Sequence, residues 1–270
     1  MYSQDLITRA LAGGAIAALI AAAALRIRTL ARSGAVAAFA LGTITVAAGW
    51  SWGALLIGFF AAGTAVSKLG EEKKRNLLGS VVAKGGNRDA AQVAANGALF
   101  AAAALGALLS VDARWQTIGI GALAAAMADT CATEIGTLGA RMPRLIISGR
   151  RVPTGTSGGI TLVGTSAGIA GALCAAAGAR LAGWEVPFGA AVAGGIAGML
   201  ADSLLGATLQ DRRWCGACRM PTERPVHDCG IETRHAGGIP AFDNDGVNFV
   251  ATLSGGMVAL LVMTLITAFK

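Results

Sequence analysis

Residues 116–138 read QTIGIGALAAAMADTCATEIGTL. This run is longer than the roughly 20 apolar residues that cross a bilayer at 1.5 Å rise each. It nevertheless holds Asp129 and Glu134, and an acid at the centre of a transmembrane helix costs about 2.5–3.5 kcal/mol. The stretch therefore raises two questions at once: what solvent the chain folds in, and why it keeps acids there.

Composition answers the first. Of 270 residues, 54% are hydrophobic and 14% charged, against about 25% charged in an ordinary soluble domain. Small residues such as the 39 glycines let membrane helices approach closely. A soluble enzyme, a disordered chain and a disulfide-stapled secreted domain are excluded on these grounds. The net charge of +7 bears on loop orientation and does not imply nucleic acid.

Outward from 116–138, apolar runs bounded by charge, Gly or Pro fall at about 6–25, 34–49, 50–67, 91–110, 158–180, 187–209 and 247–268. The expected fold is an all-α polytopic membrane protein of about eight transmembrane helices, a single integral membrane domain over 1–270. Gly49 to Gly53, with Trp50 and Trp52, read as a short interfacial turn with an aromatic anchor. Loops 26–33, 68–90, 139–157 and 210–246 carry 18 of the 22 basic residues; Arg9, Arg114, Arg180 and Lys270 make up the rest. By the positive-inside rule these long basic loops are cytoplasmic and both termini lie on the other side. Arg26, Arg28 and Arg32 directly follow the first run, which favours a retained helix over a cleaved signal peptide. Cys131 and Cys174 fall inside spans as small core residues. Cys215, Cys218 and Cys229 fall in a reducing compartment, so disulfides are not expected.

Asp129, Glu134 and Asp202 are the acids within spans; Asn96 and Asn248 are cheaper polar intrusions. Asp129 and Glu134 stand five residues apart, about 140° round a regular helix, and do not chelate one ion together. Either of them paired with Asp202 can, through the carboxylate oxygens that Mg²⁺ prefers. Asp129 with Asp202 is the first choice. Met127-Ala128-Asp129-Thr130 also echoes Leu200-Ala201-Asp202-Ser203, a hint of an internal repeat.

Between the fifth and sixth spans lie Arg141, Arg144, Arg150 and Arg151, followed by Gly155-Thr156-Ser157-Gly158-Gly159. Forked guanidinium donors beside a Gly-rich turn that opens a helix suit a phosphate, although the Gly-Lys-Ser/Thr ending of a Walker A loop is absent. Arg88, Gln92 and Asn96, spaced by four, share one helix face pointing inward from the cytoplasm. They follow Lys84-Gly85-Gly86, while Glu71 to Arg75 reads as a solvated charged turn. The last basic loop, about 210–246, holds Cys215, Cys218, His227 and Cys229, four soft ligands sufficient for a closed structural zinc site. Downstream, Asp243-Asn244-Asp245 with Asn248 places acids and amides at the mouth of the last span.

Taken together, these residues resemble the transmembrane protein 19 family, which includes the phytyl-phosphate kinase of photosynthetic organisms. The likeness covers most of the chain. It rests on Gly86-Asn87-Arg88 with Gln92 and Asn96, Ala128-Asp129-Thr130 with Glu134 and Gly136, Pro143-Arg144 with Pro153, Gly155-Thr156 with Gly158 and Gly159, Asp202 to Gln210, and Asn244-Asp245 with Asn248. More distantly the order of parts is similar to the CTP-dependent dolichol and phytol kinases. The resemblance implies an isoprenoid-phosphate kinase of tocopherol and phylloquinone biosynthesis, moving a phosphoryl group from a nucleoside triphosphate such as CTP to a prenyl monophosphate such as phytyl phosphate. It implies that Asp129 and Asp202, with Glu134 as the other candidate, hold Mg²⁺. Arg88 and Arg144 would then neutralise phosphates, with Arg144 catalytic beside the two aspartates. Gln92, Asn96, Gly155 to Gly159, Asp245 and Asn248 would bind nucleotide or phosphate.

A secondary transporter or flippase of an anionic or lipid-phosphate substrate is the alternative that intramembrane acids also suit; cytidylyl transfer to a lipid phosphate is a third. The expected partners are nucleotide, prenyl-phosphate lipid and the membrane, with room for an oligomer. The expected location is a prokaryotic plasma membrane, or a chloroplast membrane in a plant-type cell.

Overall fold

The computed structural model describes residues 2–78, 87–110 and 112–269. Lys84 to Gly86 of the second basic loop, and Lys270, lie outside them. In chain order the helices are α1 (Tyr2–Arg26), α2 (Arg32–Ala48), α3 (Trp50–Lys68), a short α4 (Glu71–Leu78), α5 (Ala90–Leu109), α6 (Ala113–Leu138), α7 (Leu162–Leu181), α8 (Phe188–Thr208) and α9 (Asn244–Ala268). Each of the eight predicted spans corresponds to one of them. Seven are long and apolar enough to cross a membrane. The eighth, α2, has 17 residues, about 26 Å of helix against a hydrocarbon core about 30 Å thick.

Helix α6, the segment quoted first, sits at the centre and packs on α5, α7, α8 and α9. Its neighbours reach it because they are glycine where they meet it. A Cβ on Gly198 of α8 would lie 2.2 Å from Ala125 Cβ and 2.8 Å from the Ala251 carbonyl of α9, and one on Gly194 would lie 2.5 Å from the Gly255 carbonyl. Without hydrophobic driving force between helices in lipid, such close backbone packing is the main attraction. Gly198→Ala is expected to destabilise the protein by about 1–3 kcal/mol through overpacking, measured as a lower Tm in detergent. Gly58→Ala is the control: its added Cβ meets nothing within 4 Å, so Tm holds or rises. Large apolar side chains such as Leu11, Leu19, Leu162 and Leu181 are exposed on the outer faces, as lipid contact requires.

The structure corrects two local expectations. A single residue, Gly49, separates α2 from α3, in place of a turn running to Gly53. Trp50 is exposed as an interfacial anchor should be, but Trp52 is buried, its ring 5.0 Å from Phe100 and 4.5 Å from Trp184. Two basic loops also carry sheet. β1 (Arg144–Leu145) pairs antiparallel with β2 (Gly159–Ile160), which delays the start of α7 from the predicted 158 to Leu162. β3 (Arg212–Cys215), β4 (Met220–Thr222) and β5 (Arg234–Gly237) form an antiparallel sheet in the order β4-β3-β5. Cys131 is buried as expected, whereas Cys174 is exposed on α7.

The four basic loops gather at one end of the bundle. Ala31 N–H donates to the Arg88 carbonyl at 2.9 Å and Arg88 N–H to the Thr29 carbonyl at 3.1 Å, joining the first two loops. Lys73 Nζ donates to the Leu138 carbonyl at 2.9 Å. Ser157 Oγ donates to Glu223 Oε1 at 2.9 Å, joining the third loop to the fourth.

Candidate functional site

At that end a cavity opens between α6, α7, α8, the start of α9 and the Gly-rich loop. Asp129 of α6 and Asp202 of α8 both line it, and their side chains come within hydrogen-bonding reach of each other. Thr133, one turn on from Asp129, lines the cavity as well. Asp202 Oδ2 is buried with no hydrogen-bond partner among the described residues. Buried polar atoms are paired in the great majority of cases, and two adjoining carboxylates away from water repel each other. An oxygen-seeking cation at this point answers both deficits, so the donors present fit Mg²⁺.

The cavity is acidic throughout. Glu223, Asp243 and Asp245 join the two aspartates, and among the described residues no lysine or arginine lines it. Asp243 caps α9, accepting from the N–H groups of Asp245 and Gly246, each at 3.1 Å. Glu223 Oε1 accepts from Gln210 Nε2 at 2.7 Å in addition to Ser157. Glu223 was not singled out by the sequence, for it follows β4 in a loop whose only regular spacing is that of its cysteines and histidine.

Gly155 to Gly159 all line the cavity. The loop is shaped by left-handed residues, Gly158 at φ +76° among them. A Cβ there would lie 2.7 Å from the Ala207 amide of α8, so glycine alone lets the loop rest on that helix. Thr156 N–H and Gly159 N–H close turns onto the Pro153 and Thr156 carbonyls. Ser157 and Gly158 contribute no backbone N–H to these turns.

A second cavity, about 920 Å³, lies among α1, α2, α3 and α5 and is apolar through Ile16, Ile20, Leu41, Leu56, Phe59 and Phe60. Arg88, Gln92, Asn96 and Thr130 form its polar end, and Gln92 lines the acidic cavity as well. Gln92 is fixed by a reciprocal capping box with Asp89, its Oε1 accepting from Asp89 N–H at 3.1 Å. Arg88 Nη2 donates to Ser67 Oγ at 3.1 Å. Burial pulls the Arg88 guanidinium below its ordinary pKa, and the nearby Glu134 carboxylate partly offsets that.

Several expected site residues are placed elsewhere. Glu134 does not line the acidic cavity; it is ion-paired with Lys74 of α4, since its position round α6 turns it away from Asp202 as the helical angle requires. Lys74 is buried, so the stretch from Glu71 to Arg75 is not wholly a solvated turn. Arg141, Arg144, Arg150 and Arg151 are exposed and do not line the cavity. Arg144 Nη1 donates to the Gly149 carbonyl at 2.8 Å, bracing its own loop. Asn96 and Asn248 donate to the carbonyls of Gln92 and Asn244 on their own helices, at 3.0 and 2.8 Å. Asn96 lies in the apolar cavity, and Asn248 is buried beside the acidic one without lining it. Cys215, Cys218, His227 and Cys229 are brought together, their ligand atoms all within 4.8 Å of one another.

Residues 15–256 match the family described as integral membrane protein DUF92. Protein PGR of Arabidopsis thaliana is 32% identical over 269 residues, 88% of this chain and 90% of its own length. An uncharacterized membrane protein of Methanocaldococcus jannaschii is 34% identical over 216 residues, 79% of this chain and 77% of its own. Protein VTE6, chloroplastic, also of Arabidopsis thaliana, is 29% identical over 246 residues, 88% of this chain and 66% of its own. No solved structure matches the chain.

Proposed function

The chain belongs to the DUF92 family of integral membrane proteins, and from that premise we propose that it is a membrane kinase acting on prenyl monophosphates. A phosphate oxygen of the acceptor, such as phytyl phosphate, attacks the terminal phosphorus of a nucleoside triphosphate. The bond from that phosphorus to the leaving diphosphate breaks, giving prenyl diphosphate and nucleoside diphosphate. CTP is the donor that the resemblance to the phytol and dolichol kinases implies.

The observation that carries this reading is that the two cavities share Gln92 in their walls. An apolar chamber between helices with Arg88 in its wall, next to a polar chamber of acids and a Gly-rich loop, is complementary to a molecule with an isoprenoid tail and a phosphate head. Arg88 supplies positive charge where the head would lie. The acceptor needs no general base, because a phosphate monoester is largely ionised at neutral pH, its second pKa being about 6.

Positioning and charge neutralisation are what phosphoryl transfer between anions chiefly requires. A cavity lined by five acids would repel a bare triphosphate, so the nucleotide is expected to enter with its divalent cation. Asp129 and Asp202 would hold Mg²⁺ there, and the ion when bound supplies charge neutralisation and polarises phosphate oxygens. The Ser157 and Gly158 N–H groups would orient a phosphate, and Gln92 would keep the head and the nucleotide in register. This arrangement requires the basic-loop end to face the compartment that holds the nucleotide.

Filling the apolar chamber tests the assignment. Ala38 lines it. Ala38→Trp is expected to raise KM for phytyl or geranylgeranyl phosphate about tenfold or more, by the loss of a few buried methylenes at about 0.8 kcal/mol each. The KM for isopentenyl phosphate, whose short chain does not fill the chamber, should stay unchanged. Equal effects on long and short acceptors would place the tail elsewhere.

A further inference from the structure

We propose that Cys215, Cys218, His227 and Cys229 hold a structural zinc ion that serves as the core of the loop over 211–243 and so keeps Glu223 in the acidic cavity. Among the described residues of this loop the buried ones are Cys215, Thr222, His227 and Thr233. Apart from Cys215 itself, no apolar side chain is buried there. Trp214 and Met220 are only half-buried, so a three-stranded sheet of this size has little hydrophobic core, and small folds that lack a core are held by a disulfide or a metal. All three thiols are free.

The two donor pairs that share Cys229 Sγ are spaced as round one tetrahedral ion, and all four ligand atoms lie within 4.8 Å of one another. With Zn–S about 2.3 Å and Zn–N about 2.0 Å, ideal edges are about 3.8 Å between sulfurs and about 3.5 Å between sulfur and nitrogen. Cys215 Sγ lies 3.6 Å from Cys229 Sγ, and His227 Nδ1 lies 3.3 Å from Cys229 Sγ. The backbone is turned to suit the sulfur: Cys218 N–H points at Cys215 Sγ at 3.4 Å. His227 is buried beside the three thiols, and Nδ1 is the nitrogen that it turns to Cys229 Sγ. Three sulfurs and one nitrogen in a closed tetrahedron are a donor set that selects zinc over harder divalent ions.

The consequence reaches the cavity through β4. Its last residue, Thr222, pairs with Arg213 of β3, and the next residue is Glu223, which accepts from Ser157 and Gln210. Thr233 Oγ1 donates to the Pro225 carbonyl at 2.9 Å, and Arg213 Nη2 donates to the Thr233 carbonyl at 2.9 Å, tying the second half of the loop to the first. Glu223 is thereby a positioned residue, and the ion acts on the cavity only through it.

The test uses the full chain purified in detergent under reducing conditions. Elemental analysis should find one zinc per chain. Growth with cobalt should give the thiolate-to-cobalt charge-transfer and d–d absorption of a tetrahedral site. Cys215→Ser with Cys229→Ser should lose the metal and make the loop sensitive to protease while far-UV circular dichroism still reports the helices. His227→Cys, which preserves four soft ligands, should keep both metal and protection. Should the double variant fail to fold, stripping the wild-type protein with a zinc chelator and restoring zinc reads the same protection. Folded, reduced protein that carries no stoichiometric metal, or whose loop is equally protected with and without zinc, overturns the proposal.

Discussion

Asp129→Asn and Asp202→Asn are each expected to lower phosphoryl transfer by about 10³-fold or more, roughly 4 kcal/mol at 1.36 kcal/mol per decade, while leaving the protein folded. Both halves of that expectation come from one arrangement. The two side chains reach each other across α6 and α8, and Asp202 Oδ2 has no hydrogen-bond partner among the described residues. Asparagine keeps the shape and removes the charge that would hold a cation. It also relieves the repulsion between two buried carboxylates, so Tm in the absence of Mg²⁺ should hold or rise. Because the pair acts on one ion, the double variant should cost little more than either single one. Glu134→Gln gives the contrast. It weakens the pairing with Lys74, so it should lower Tm more than the aspartate variants do and reduce turnover far less. Near-normal turnover in both aspartate variants would remove them from the site.

Gly158→Ala is expected to reduce turnover by about 10²-fold, the usual consequence of displacing a positioned group by about 1 Å. An alanine there meets two obstacles. The backbone is left-handed at φ +76°, which costs an L-residue about 1–2 kcal/mol. The added Cβ would lie 2.4 Å from Ala207 Cβ and 2.7 Å from the Ala207 amide, so the loop must lift from α8 and carry Ser157 with it. Gly149→Ala separates the two causes. Gly149 also has a left-handed φ, +67°, but nothing lies within 4 Å of its added Cβ. It should show the backbone cost as a small loss of Tm and keep nearly full turnover. Parallel kinetics in the two alanine variants would mean that contact with Ala207 does not place the loop.

How far the sequence foretold this molecule depends on the range of the interaction concerned. Spans were legible because hydropathy over about 20 residues is a local quantity set by bilayer thickness. The closeness of Asp129 and Asp202 was legible because an unpaired acid in lipid is costly enough to demand a partner. The Gly-rich loop beside them was legible because its composition suits a tight turn at a helix start. Partner choice across long separations was not. Nothing in the run Glu71 to Arg75 marks Lys74, in place of Lys73, as the cation that turns inward to Glu134, 60 positions away. The arginines of 141–151 looked like phosphate ligands by proximity in sequence, yet the β1–β2 pairing turns Arg144 onto its own loop. Trp52 looked interfacial beside Trp50, and only the stacking of α3 against Phe100 and Trp184 draws it into the core. Glu223 was invisible because the sheet that delivers it to Ser157 is built around a cluster of three cysteines and a histidine and not around a hydrophobic pattern.

A prenyl-phosphate kinase forms two products in one step, and following both together identifies the reaction. Detergent-purified protein with Mg²⁺ would be given each of the four nucleoside triphosphates with phytyl or geranylgeranyl monophosphate. Prenyl diphosphate and nucleoside diphosphate should appear in equal amounts, with CTP the preferred donor. Release of pyrophosphate with a nucleotidyl-lipid product would make the chemistry cytidylyl transfer. No product with any donor, from protein shown to be folded, would contradict the account and make Asp129 and Asp202 the acids of a translocation path.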